Sequence, residues 1–290
     1  MMPRPLGHAP RALVVLLAVS CLTGPKHTAL AQGRAKERAA TIPIAAPISA
    51  QPRLGERLSF HGRWMGIPVG HGWIEVKEIV EVDGHRAYHI EAEGHSNDLL
   101  STFYPIHDVV HSYLDVDTLR PLRFEKRQQE GHYRADEVVT FDHAAGIARY
   151  HSLLNQSIKE IALPPDFQDL ISALYWFRAQ PLQFDETLTL DLYTDEKIYK
   201  TQLRIGPPFS LELLKRGTFP CLIVEPKASF KGFLVRRGRL WAYLTADAYR
   251  LPLLVKATTP WGQMSAIIDD VSIPDDLKHP SHASGDSAGP

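Results

Sequence analysis

The sequence predicts a mainly β protein: a curved antiparallel sheet, or half-open barrel, of two repeated meanders with one helix packed in its concave face. Three observations predict it. Apolar residues between 54 and 273 recur with a period of two, which puts one side of each strand into a core. Turn dipeptides separate these runs: Asp83-Gly84, Glu130-Gly131, Ala145-Gly146, Arg216-Gly217 and Trp261-Gly262. A short pattern then occurs twice, Tyr113-Leu114-x-x-Asp117-x-x-Arg120-Pro121 and Tyr243-Leu244-x-x-Asp247-x-x-Arg250-Leu251-Pro252. Glu56-x-Leu58-x-Phe60 and Glu186-x-Leu188-x-Leu190 repeat at the same offset.

Residues 1–31 read as an export signal. Arg4 and Arg11 form a basic start, Ala12 to Ser20 an apolar stretch, and Ala29-Leu30-Ala31 a small-x-small cleavage site. A second reading of this stretch stays open. Leu17-Ala18-Val19-Ser20-Cys21 resembles a bacterial lipoprotein signal, which would make Cys21 a lipidated N-terminus. Under either reading Cys221 is the single free thiol of the mature chain, so an exported domain must be held by its core and not by disulfides. Residues 32–53 lack periodicity and read as a flexible tether. Residues 274–290 read as a disordered tail.

The strands follow from alternation. Leu188, Leu190 and Leu192 share one face of a run, as do Tyr133, Ala135, Val139 and Phe141, and then Leu240, Ala242 and Leu244. The halves 54–160 and 184–273 are expected to join into a single domain, with each repeated turn held by its aspartate, Asp117 or Asp247.

One segment between the halves has helical spacing. Pro164-Pro165 precede Asp166, a good N-cap; Phe167, Leu170, Ile171, Leu174 and Tyr175 follow, and Pro181 ends the run. This predicts a helix over 166–180, apolar enough to be buried. Its polar line of Gln168, Asp169 and Ser172, with Arg178 further on, needs partners in the sheet or a ligand to orient.

Composition narrows the function. Lys and Arg total 32 against 33 acids, which gives no cationic excess for nucleic acid. No apolar run beyond the N-terminus approaches the roughly 20 residues that span a bilayer, so no transmembrane helix is expected in the mature chain.

Catalytic patterns are missing: there is no G-x-S-x-G, H-E-x-x-H or S-x-x-K. Gly94-His95-Ser96-Asn97-Asp98 reads as a polar turn, Cys221 as an inert buried thiol, and Arg236-Arg237 with Arg239 as a solvated basic turn. His107 and His111 share a strand face, but no second cluster with ligand spacing accompanies them, so no metal site and no cofactor are expected.

Several stretches resemble an exported bacterial family known as domain of unknown function 3108. They are Gly55-Glu56-Arg57-Leu58, the Trp64-x-Gly66-Ile67-Pro68-x-Gly70 turn, Phe167 to Tyr175, and Leu244-Thr245-x-Asp247-x-x-Arg250-Leu251-Pro252. The resemblance implies a periplasmic or envelope location and a mostly β architecture, and it brings no catalytic residues. The inferred architecture is also similar to that of periplasmic lipoprotein carriers, an analogy of fold alone.

The expected function is therefore non-enzymatic: an envelope protein binding a lipid or other apolar small molecule through Phe167, Gln168, Ile171, Ser172, Tyr175 and Arg178. The alternative is a structural or assembly factor that contacts envelope proteins. A hydrolase would require carboxylates such as Asp108, Asp117 and Asp247 to converge in a pocket.

Overall fold

A computed structural model describes residues 43–47, 51–213, 216–230, 233–234, 239–259 and 262–272. The export signal 1–31, Cys21, most of the tether, Arg236-Arg237 and the tail 274–290 lie outside the described residues.

Alternation of apolar and polar residues yields strands throughout. The first half comprises β1 (Arg57–Trp64), β2 (Ile67–Val82), β3 (His85–Ser96), β4 (Ile106–Asp115), β5 (Pro121–Glu130), β6 (Tyr133–Asp142), β7 (Ile147–Ser152) and β8 (Ile158–Ala162). A one-turn helix, α1 (Asp98–Ser101), links β3 to β4. Asn97, in the stretch read as a polar turn, caps it by accepting from the Leu100 amide at 3.0 Å.

Two residues, β9 (Phe167–Gln168), and the helix α2 (Ser172–Ala179) follow. The second half comprises β10 (Thr187–Thr194), β11 (Lys197–Ile205), β12 (Phe209–Leu213), β13 (Gly217–Phe230), β14 (Phe233–Leu234), β15 (Arg239–Thr245), β16 (Pro252–Thr259) and β17 (Gly262–Ser272).

All strands belong to one sheet, antiparallel except where β9 runs parallel to β10. From β1 the ladder proceeds one way through β2, β3, β4, β5, β6 and β7 to β8. The other way it passes through β17, β16, β15, β13 and β11 to β10 and β9. β1 and β17 thus join the halves. Among the described residues no ladder closes β8 onto β9 or β10, so the sheet stays open. Side chains span the gap: Lys159 on β8 pairs with Glu196 of the β10–β11 turn, and Lys126 on β5 with Asp195.

The repeated hairpins are built alike. Both carry a register shift at the same place, between Tyr113 and Leu114 and between Tyr243 and Leu244, so that Leu114 faces Pro121 and Leu244 faces Pro252. The repeated glutamates also match: the amide of Val76 donates to Glu56 O at 3.0 Å, and that of Ile205 to Glu186 O at 2.8 Å. The turns differ in one respect. Asp247 holds its own turn, accepting from the Tyr249 and Arg250 amides, but in the first hairpin that task falls to Asp115 and not to Asp117. Asp115 Oδ1 takes the Asp117 and Thr118 amides and the Thr118 hydroxyl. A side-chain acceptor two residues earlier satisfies the same kind of turn.

The helix starts later than its periodicity predicts. Phe167 and Gln168 are extended because they pair with Asp191 and Leu192, and Asp166, the expected cap, is solvent-exposed. Asp169 caps the helix. Its Oδ1 accepts from the Ile171 and Ser172 amides at 2.8 Å each, while its own amide donates to Ser172 Oγ at 2.8 Å. The strand pairing of 167–168 outweighs helical propensity there, because two buried backbone groups would otherwise lack partners.

The core has two parts. The larger gathers Leu58, Ile74, Ile90, Leu114, Phe141 and Phe167 with Ile171 and Tyr175. The smaller gathers Phe177, Leu182, Ile205, Leu222, Val224 and Leu244. Residues 167–177 contribute to both.

Candidate functional site

A cleft opens where β3–β6 meet the segment before α2 and the β10–β11 turn. Its apolar lining is Ala92, Val110, Phe124, Val139, Leu170 and Ile171. Even-numbered residues of β3, β4 and β5 face it together with odd-numbered residues of β6, because Phe124 pairs with Val139 and Lys126 with Glu137 across the ladder. The space inside is about 70 Å³. That is roughly half the volume of an apolar cavity that accepts benzene, on the order of 150 Å³.

Polar groups converge on the same cleft. Lys126 Nζ lies 3.2 Å from both Glu137 Oε2 and Asp195 Oδ1. Burial would lower the lysine pKa, but the two carboxylates outweigh it and hold the ammonium charged. Asp108 accepts from the Gln129 amide at 3.1 Å and from Gln128 Nε2 at 3.2 Å. Burial raises its pKa against hydrogen bonds from Glu130, Gln128 and Gln129. Asp108 therefore lines the cleft, whereas Asp117 and Asp247 do not.

Two further features mark this cleft. Tyr193 lines it, is 3% exposed, and has a buried hydroxyl with no hydrogen-bond partner among the described residues. Leaving such a group unmet costs about 1–3 kcal/mol. Asp195 and Glu196, also lining residues, occupy both central positions of a two-residue turn at φ 48° and 60°. Left-handed backbone is costly for residues other than glycine, and Asp83-Gly84 and Met65-Gly66 make the equivalent turns with glycine. Strain of this kind gathers at ligand sites.

The six residues that sequence reading assigned to a ligand are distributed unevenly. Ile171 lines the cleft; the other five do not. Phe167 stacks on His143 and meets the edge of Phe141. Gln168 pairs with β10. Ser172 completes the Asp169 cap, and Tyr175 is buried in the larger core. Arg178 makes a two-pronged ion pair with Glu56, Nη1 to Oε1 at 2.6 Å and Nη2 to Oε2 at 2.9 Å. Asp169 itself binds the sheet, accepting from Ser112 Oγ at 2.6 Å. Sequence reading missed Lys126, Glu137 and Tyr193, since only the register of β5 on β6 and the return of β10 bring them together.

A second hollow, of about 630 Å³, is formed by turns and lined by Asp83, His85, Asp117, Arg120, Asp142 and Arg149 among others. It is larger, and a greater share of its lining is polar than in the β3–β6 cleft. Several of its charges already pair with one another, as in His85–Asp115 and Arg149–Asp142.

On the opposite face of β3 and β4, His89, Glu91 and His111 converge. His89 Nε2 lies 3.0 Å from His111 Nδ1, and His111 Nδ1 lies 3.6 Å from Glu91 Oε2. Burial lowers the His111 pKa, partly offset by Glu91. A second group lies along the same face: His95 is hydrogen-bonded to His71 and is paired in register with His107, which contacts Glu93 at 3.0 Å.

Among curated proteins, no sequence matches. A crystal structure of a beta-barrel-like protein of domain of unknown function DUF1849 from Brucella abortus is similar in fold, with a TM-score of 0.54 at 10% identity. The similarity covers 78% of this chain and 100% of that one. At that identity it bears on architecture alone. The family model described as protein of unknown function, DUF3108, matches residues 59–269, from the middle of β1 almost to the end of β17. The chain belongs to the DUF3108 family.

Proposed function

We propose that this protein is a non-enzymatic binding protein of the bacterial envelope, exported by residues 1–31, and that it holds the apolar part of a small amphipathic ligand such as a lipid in the β3–β6 cleft. The observation that carries the reading is Tyr193, a lining residue of a largely apolar cleft whose buried hydroxyl has no partner among the described residues, beside the strained Asp195-Glu196 turn. A few placed polar groups on an apolar lining are how small-molecule sites orient what they bind. The 70 Å³ interior suits one small apolar group, leaving the rest of the ligand over the rim. The lining carries Asp108, Glu137, Asp195 and Glu196 against Lys126 and the Lys159 that pairs with Glu196, an acidic excess that favours a cationic or hydrogen-bond-donating head. Leu170 and Ile171, just before α2, form one wall of the cleft.

Native mass spectrometry of the protein purified from bacterial envelopes tests this. The wild-type chain should carry a small-molecule adduct, Tyr193→Phe should lower its occupancy, and Val110→Trp should abolish it by filling the cleft. A wild-type chain free of adduct, or a Val110→Trp chain that retains it, would overturn the reading.

One observation favours the alternative of an assembly factor. Trp64, Met65 and Ile67 at the β1–β2 turn are exposed, as are Leu99 and Phe103 by α1, and Asn97 Nδ2 links the two places through Pro68 O at 2.9 Å. Contiguous exposed apolar surface marks contact sites. Under that reading Ile67→Ser and Phe103→Ser abolish co-purification of an envelope protein, and Val110→Trp does not.

A further inference from the structure

We propose that the outer face of β3 and β4 carries a binding site for a divalent first-row transition metal ion, with His89, Glu91 and His111 as its three protein ligands and water completing the coordination. Linear spacing conceals this group, because the ligands pair across strands instead of along one.

The geometry carries the inference. A tetrahedral ion with ligand bonds near 2.0–2.1 Å sets its donor atoms about 3.3 Å apart. The His89 Nε2–His111 Nδ1 and His111 Nδ1–Glu91 Oε2 separations, 3.0 and 3.6 Å, bracket that edge. All three donor atoms lie within 4.8 Å of one another. In the metal-free chain one ring N–H bridges the two nitrogens; when the ion takes its place, that proton moves to the far nitrogen of the same ring, so both imidazoles bind as neutral ligands.

The surroundings hold the ligands in position. Glu91 sits directly opposite His111 in the ladder, and His89 opposite Tyr113, so all three ligands stand on paired interior strands and not on a loop. The Tyr113 ring stacks on His89 with centroids 4.8 Å apart and planes 7° apart. The far nitrogen of His89, Nδ1, has Glu78 Oε1 at 3.6 Å, the carboxylate–imidazole arrangement that orients metal-bound histidines. The three residues are half-buried, so solvent can supply the fourth ligand. Two imidazoles and one carboxylate suit zinc, copper(II) or nickel(II), and not calcium or magnesium, which prefer oxygen alone.

The test uses the full chain and zinc alone, with a chromophoric chelator competing for the ion. His111→Gln and His89→Gln should each weaken zinc binding about 10-fold or more. His107→Gln, in the neighbouring histidine group on the same face, should leave the affinity within about twofold of wild type, a shift well below that effect. Cobalt(II) added to the wild-type chain should give the visible absorption of a four-coordinate ion, and His111→Gln should lose it. Far-UV circular dichroism without metal establishes that each variant is folded. If a folded His111→Gln chain binds zinc as tightly as wild type, or if His107→Gln costs as much as His111→Gln, the assignment is overturned.

Discussion

Arg178 and Glu56 lock α2 to the start of β1 through two parallel hydrogen bonds, and neither side chain is more than 10% exposed. Arg53 adds a second cation to the same carboxylate, and Arg178 Nε donates to Tyr249 O at 3.2 Å. One buried carboxylate therefore ties together the tether's end, the first strand, the helix and the second repeated turn.

Removing one partner of this pair strands a buried charge. Glu56→Gln or Arg178→Met should each cost about 3–5 kcal/mol in urea unfolding at pH 7, and the double variant should cost less than the two together.

The same carboxylate shapes the acid limb of the stability curve. Burial raises the Glu56 pKa, but Arg178 and Arg53 together outweigh it and hold the group below 4.5. The unfolded chain therefore binds the proton first. Stability from Glu56 is full above about 4.5 and is lost as pH falls through the lower folded value. Urea midpoints measured from pH 6 to pH 3 should fall less steeply in Glu56→Gln than in wild type.

Asp169 separates hydrogen bonding from charge. Asp169→Asn keeps an oxygen for the Ile171 and Ser172 amides, whereas Asp169→Ala leaves both amides and Ser112 unmet. The alanine variant should lose about 1–3 kcal/mol for each buried group left unpaired, and the asparagine variant markedly less. Thermal unfolding of the two side by side distinguishes them.

The repeated arginines occupy equivalent places and do unequal work. Arg120 is partly exposed and donates to Pro165 O. Arg250 is 1% exposed and donates to Arg178 O at 2.8 Å, to Ala45 O at 3.1 Å and to Gln180 O. Arg250→Ala should cost several kcal/mol by stranding carbonyls at the end of α2, against about 1 kcal/mol or less for Arg120→Ala. Chemical denaturation checks the contrast.

Burial pushes the Cys221 thiol up to about 11. In a Cys21→Ala chain at pH 8, a thiol reagent should label it only after unfolding.

Much of the architecture was legible because it rests on local chemistry. The alternation of Leu188, Leu190 and Leu192 and the Asp83-Gly84 turn each specify their element within a few residues. The recurrence of Tyr-Leu-x-x-Asp located two hairpins that share a register shift. What escaped depends on distant pairing. Phe167 and Gln168 look helical until β10 offers hydrogen bonds to an extended chain. Asp169 looks like a residue of the first turn and proves to be its cap. Lys126 and Tyr193 meet only because the second half folds back across the first, and His107-x-x-x-His111 conceals the more compact group formed by His111 with His89 and Glu91.

β1 lies between β2, its immediate successor, and β17, the last strand of the domain. A polypeptide made from its amino end must therefore keep one flank of its first strand bare until β17 has been made. Any premature stop leaves that flank as a sticky template for other chains. The arrival of β17, and not the formation of either half, is the event that covers this flank.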